Sequence, residues 1–174
     1  MKIWYMNLKD NRGEGIPDAS SEKFEYCMLH NIIAIGWANA QKDNEDNYIE
    51  ENKKRYKTAS QPERIKDFLY AFNEFKAIEA GDLVLIRNSD NEKYYLLQIA
   101  EKDFHISVKD KLKDIDIGCY KRIEKKVCIE TAAEVNQVID LRKIVPLRTI
   151  QQICNPELQV AIRELFKRMV AEGA

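Results

Sequence analysis

The sequence predicts an α+β domain built on a small, strongly bent, barrel-like sheet flanked by helices. Three observations support this. Short runs of β-branched and aromatic residues crowd the middle of the chain, amphipathic segments of helical period bracket them, and no strand–helix alternation runs through it as a doubly wound fold requires. The 174 residues suit a single domain, residues 1–174, because no Gly/Ser-rich or Pro-rich linker divides them. With 45% hydrophobic and 33% charged residues, the disordered, collagenous and disulfide-scaffold classes do not fit.

Lys2–Leu8 is rich in residues that fit a pleated surface, and the turn chemistry of Asn11–Gly15 follows it, giving a strand and then a loop. Ser20 or Ser21 can cap a short helix over Glu22–His30, where Phe24, Cys27 and Met28 share one face. Ile32–Trp37 is a continuous apolar run of strand length, as a strand buried on both faces requires. The tract Gln41–Gln61 is almost wholly polar and reads as a long loop or an exposed helix on the surface. Pro62, with Ser60 available as cap, opens a helix to Phe75 whose stripe is Ile65, Phe68, Leu69, Phe72 and Phe75.

Beyond the Gly81–Asp82 turn, Leu83–Arg87 and Tyr94–Ala100 read as a hairpin turning through Asn88–Glu92. Phe104–Val108, Gly118–Ile123 and Lys125–Ile129 are further candidate strands, with Lys109–Asp114 as a charged connection. Val145–Ile150 can enter a short helix through Thr149. Pro156 starts a closing helix, residues 156–171, with Leu158, Ile162, Leu165, Phe166 and Met169 on one side.

The 28 basic and 29 acidic residues leave a net charge of −1, so no global field grips a polyanion and any such partner must be held locally. Cys27, Cys119, Cys128 and Cys154 lack metal-ligand spacing, and no signal-peptide pattern precedes them. They read as reduced thiols of a cytoplasmic protein. No apolar run approaches the length of a membrane span. The two histidines, His30 and His105, belong to no metal motif, and His30 reads as a helix-end residue near free carbonyls. Phosphate-loop and nucleophile-elbow patterns are absent, so neither cofactor nor metal is expected. Carboxylates at Asp43, Glu45 and Asp46, and at Asp114 and Asp116, read as solvated. Asp82 with Glu124 and Lys126 offers the pieces of a metal-dependent nuclease site.

Aromatic residues stand at strand ends next to turns: Trp4 and Tyr5, Trp37 after Gly36, Tyr94 and Tyr95, and Tyr120 after Gly118. Rings so placed can line a slot for a planar base, although strand alternation sends neighbours such as Trp4 and Tyr5 to opposite faces. The other reading of these rings is core. Two local clusters of cations, Lys53, Lys54, Arg55 and Lys57, then Lys121, Arg122, Lys125 and Lys126, can neutralise flanking phosphates or lie on solvated faces.

The order of these motifs resembles the EVE-like branch of the PUA-like superfamily. It is carried by Ile3–Tyr5, Gly13–Gly15, a helix with Phe24 and Cys27, Ile32–Trp37, a helix ending at Phe75, Ile78 through Gly81–Ile86, Tyr95–Ala100 and Arg148–Ile150. The resemblance implies a bent barrel flanked by helices and capture of a modified or flipped-out base of DNA or RNA in an aromatic pocket, without bond breaking. It places Trp37 as the first pocket wall, Trp4, Tyr5 and Tyr95 as further walls, and Gly36 where backbone approaches the base. Asn7, Ser89 and Asn91 are candidate edge readers, and Lys53, Lys54, Arg55, Lys121 and Arg122 candidate phosphate contacts. Members of that branch in some modification-dependent restriction systems are fused to motor or nuclease domains. No such domain follows here, which implies a separate effector nuclease or ATPase, or a binder or sensor that acts alone. The acidic loop 43–51 has no counterpart in the pattern. Two other readings stand beside this one: the small nuclease just described, and a protein-interaction accessory of a defence or toxin–antitoxin system.

Overall fold

The structure is a computed structural model that describes residues 1–8, 18–38, 44–59, 61–88, 90–91, 93–107, 110–129 and 149–173. In chain order its elements are β1 (Ile3–Met6), α1 (Ser20–Leu29), β2 (Ile32–Ile35), α2 (Glu45–Thr58), α3 (Pro62–Lys76), β3 (Leu83–Arg87) and β4 (Tyr94–Ile99). Then follow β5 (His105–Ile106), α4 (Asp110–Asp114), β6 (Cys119–Ile129), β7 (Ile150–Gln152) and α5 (Pro156–Glu172). Residues 11–17, 43, 60, 89, 92, 108–109 and 145–148, on which several expectations fall, lie outside the described residues.

The strands form one mixed sheet in the order β2-β6-β4-β3-β1-β7, with β5 beside the start of β6. β1 is parallel to β3, Trp4 opposite Val84, and antiparallel to β7, Tyr5 opposite Gln151. The sheet curls into a half-barrel, and α3 touches both edge strands, β2 and β7, so the helix bridges the gap between them. Among the described residues no helix is long and apolar enough to cross a membrane.

Alternation along the strands divides the interior into two clusters. Trp4, Met6, Val84, Ile86 and Leu97 pack with β2 and with Phe24, Phe68, Phe72 and Phe75 of α1 and α3. Ile3, Tyr5, Leu83, Leu85 and Leu96 face the other way and meet Leu158, Ile162, Leu165 and Phe166 of α5. Local signals seat the helices: Pro62 and Pro156 occupy first turns, and Asn44 and Asn155 cap α2 and α5 by accepting from Asn47 and Leu158 backbone N–H.

Several elements correct the sequence expectations. The polar tract holds α2, whose Tyr48, Asn52 and Tyr56 recur at i, i+4 and i+8 and are buried. Its one-sided stripe is half polar and so reads as surface. The strands expected at Gly118–Ile123 and Lys125–Ile129 are one strand, β6. A bulge at Glu124 sets Ile123 opposite Ile99 but Lys125 opposite Gln98. The extra residue exchanges the faces, so Ile123 joins the first cluster while Val127 and Ile129 join the second. The charged connection includes the short helix α4. Ile150 begins a strand, not a helix. The N-caps of α1 and α3 are Ala19 and Gln61, neither with a side-chain cap bond.

Candidate functional site

At the end of β2 the chain leaves the sheet abruptly. Trp37 takes φ +63°, the left-handed region that an indole-bearing residue rarely enters, and Asp116 across from it takes φ +53°. The two are tied together: Ala38 N–H donates to Asp116 Oδ1 at 3.3 Å, and Asp116 Oδ2 meets Lys23 Nζ of α1 at 3.5 Å, both side chains buried. The Tyr48 hydroxyl donates to Gly36 O at 3.0 Å. Burial pushes that phenol well above its ordinary value, and Cys119 and Asp116 push the same way. Gly118 completes the cluster, because a Cβ there would run into Gly36 O and the Tyr48 hydroxyl. α2 therefore lies close over the Gly36–Ala38 corner only because position 118 has no side chain.

Trp37 itself is 4% exposed, with Phe68 of α3 edge-on against its indole at 5.5 Å and 63°. Trp4 is 1% exposed, and its indole N–H donates to Asp82 Oδ2 at 3.0 Å. As a pocket wall Trp4 is corrected to core: its one polar atom has a buried partner. Tyr5 is corrected as well, since alternation puts it in the cluster under α5, on the other side of the sheet from Trp37. Tyr95 shares the side of Trp37 and packs on Phe24 at 5.2 Å. It pairs with Cys128 at one end of β6, whereas Ile35, two residues before Trp37, pairs with Cys119 at the other. About 30 Å of strand separates those rows. The structure thus keeps Trp37 with Gly36 at the corner, sets Tyr5 on the other side of the sheet and Tyr95 toward the other end of β6, and commits Trp4 to Asp82 within the cluster that also holds Trp37. Asn7 hands its backbone N–H to Thr149 O, Asn91 Oδ1 accepts from Lys93 N–H, and Ser89 lies outside the described residues.

Among the cations, Lys121 is the clear correction. Its ammonium is buried and donates to Ile78 O at 2.5 Å and Lys102 O at 2.6 Å, above the Phe75 ring, and burial lowers its pKa. It staples backbone and faces no phosphate. Lys53 pairs with Glu50 at 2.9 Å, Arg55 lies beside the Tyr56 ring, Lys54 is exposed, and Arg122 is exposed with Glu101 3.7 Å away. Of the acidic loop, Glu45 pairs with Lys76 from α2.

The nuclease pieces are not assembled. Asp82 is buried and accepts from Lys2 N–H at 2.6 Å, from the Trp4 indole and from Glu79 N–H. Glu124 is exposed in the bulge, and Lys126 reaches Met28 O at 2.6 Å. Among the described residues no group of three His, Cys, Asp or Glu side chains could hold a metal ion.

A family model described as a domain of unknown function, DUF8426, matches residues 4–96, more than half of the chain. The chain belongs to the DUF8426 family. No curated protein and no solved structure matches it. The DUF8426 stretch holds Lys23, Gly36, Trp37, Tyr48 and Asn52, while Asp116 and Gly118 join them from outside it. Sequence reasoning named Gly36 and Trp37 as candidates and missed Lys23, Tyr48 and Asn52; Asp116, read from the sequence as a solvated carboxylate, is corrected to a buried one paired with Lys23. The available signal was the i, i+4, i+8 spacing of Tyr48, Asn52 and Tyr56 in a tract otherwise without apolar order.

Proposed function

We propose that the domain is a nucleic-acid-binding module that captures a base, modified bases included, at the end of β2 and breaks no bond. Trp37 is the observation that carries this reading. A bulky non-glycine residue in the left-handed region costs about 1–3 kcal/mol and persists only where its surroundings over-determine it; such strain concentrates at ligand clamps and switches. Here Lys23, Asp116, Tyr48 and Gly118 supply that over-determination. Stacking a base on an indole gains about 1–3 kcal/mol, which with edge hydrogen bonds offsets the few kcal/mol that flipping a base costs. The motif order and the curled sheet with its flanking helices support the same reading. Because the indole is 4% exposed, its cover must open as the base enters. Association then falls below the usual protein range of about 10⁵–10⁷ M⁻¹s⁻¹.

Exposed Lys54 on α2, and exposed Arg122 on β6, which stands opposite Ile32 at the far end of β2 from Trp37, are the candidate phosphate contacts of this reading. Cleavage, where it follows capture, belongs to a separate effector nuclease or ATPase. Electrophoretic binding to modified and unmodified DNA and RNA oligonucleotides, with and without Mg²⁺, tests the reading. The expected result is binding without turnover, weakened at least about tenfold by Trp37→Ala in protein whose circular dichroism is unchanged, as loss of one stacked base implies. Absence of binding to every oligonucleotide, or Mg²⁺-dependent cleavage, overturns it.

A further inference from the structure

Among the described residues, the buried face of α2 holds two side-chain oxygens with no hydrogen-bond partner, Asn52 Oδ1 and the Tyr56 hydroxyl. Asn52, on α2 one turn beyond Tyr48, is 1% exposed, and its Oδ1 has no hydrogen-bond partner. Its orientation is fixed by chemistry: the Nδ2 donates to Tyr48 O at 3.0 Å, and a carbonyl can only accept, so the amide cannot be turned over to hide the oxygen. Asn52 also lies one turn beyond Tyr48, which is hydrogen-bonded to Gly36 O at the corner. A buried acceptor left unpaired costs the fold its desolvation, so it persists where a partner arrives from outside.

We infer that Asn52 Oδ1 reads an amino group on the captured base, which makes bases with an exocyclic amine, cytosine and adenine types and guanine through its 2-amino group, the substrate class of this site. The inference rests on the base-capture reading above. The oxygen is closed to solvent and can only accept, so its partner must be a donor, and an amino group projecting beyond the ring supplies one. A keto group at the same position would set one acceptor against another.

The test titrates the intact protein with cytidine against uridine, and adenosine against purine riboside, following tryptophan fluorescence. The amino-bearing member of each pair is expected to bind at least about tenfold tighter, as a site built around one hydrogen bond demands. Asn52→Leu is expected to abolish that preference without lowering the melting temperature, because it removes an unsatisfied acceptor along with one bond. Equal binding of the two members of each pair by the unsubstituted protein overturns the inference while leaving base capture standing. So does a preference that survives Asn52→Leu, or an Asn52→Leu protein that loses melting temperature, the mark of a merely structural amide. Failure of every nucleoside and oligonucleotide to bind overturns both readings together.

Discussion

Cys27 shows how completely the interior is closed. Burial pushes its thiol from 9.0 up to about 12, with Lys23 opposing weakly, and burial raises Cys119 and Tyr48 as well. For each of these groups the folded state holds its proton more tightly than the unfolded chain. The stabilisation is therefore whole below the unfolded pKa and is lost as pH rises through the folded one. For Cys27 that window runs from pH 9.0 to about 12, at up to about 1.4 kcal/mol per pH unit. Lys121, lowered by burial, acts oppositely up to 10.5, but three raised acids outweigh one lowered base. Urea unfolding followed across alkaline pH is expected to show stability falling from about pH 9, with Cys27→Ala flattening the slope by up to one proton. At this scale the sequence was least legible. That Trp4 would meet Asp82, 78 positions away, or that Lys121 would be buried among carbonyls, depends on partners that no local pattern announces. Trp37 and Gly36 could be named as candidates because the apolar run they close is local.

Helices and strands were read more securely, because their signals are periodic and short-ranged. β3 runs over the expected Leu83–Arg87, and α3 and α5 begin at their expected prolines. The misreadings have two causes. In α2 the buried stripe includes an asparagine and two tyrosines, so hydrophobic period understates it. In β6 the bulge at Glu124 breaks alternation and makes one strand read as two. Lys121 belongs to the first half of β6 and ties it to Ile78 beyond α3 and to Lys102 before β5. Lys121→Met would leave those carbonyls unpaired at about 1–3 kcal/mol each, offset in part by no longer burying a cation, for a net loss of about 2 kcal/mol in urea unfolding. Affinity for an oligonucleotide and its salt slope are expected to stay unchanged, whereas Arg122→Ala, which removes an exposed cation, is expected to reduce the slope by about one.

Across the whole molecule, a half-barrel is closed by α3 on one side of the sheet and covered by α5 on the other. The curved sheet between helices was legible because strands crowd the middle of the chain. Its strand order was not, since the β1–β3 parallel pair and the β2–β6 pair join segments far apart in sequence. Both indoles lie in the cluster that faces α1 and α3: Trp4 is held by Asp82, and Trp37 has its strained backbone at the β2 corner. Base capture at that corner must disturb Trp37 and spare Trp4, whose one polar atom is already bound. Fluorine NMR of protein carrying 5-fluorotryptophan resolves them, with Trp37→Phe assigning the signals. On adding an oligonucleotide or nucleoside, the Trp37 resonance is expected to shift saturably while that of Trp4 stays fixed. Two resonances that stay put with every ligand offered, or movement of Trp4 alone, would contradict capture at the end of β2.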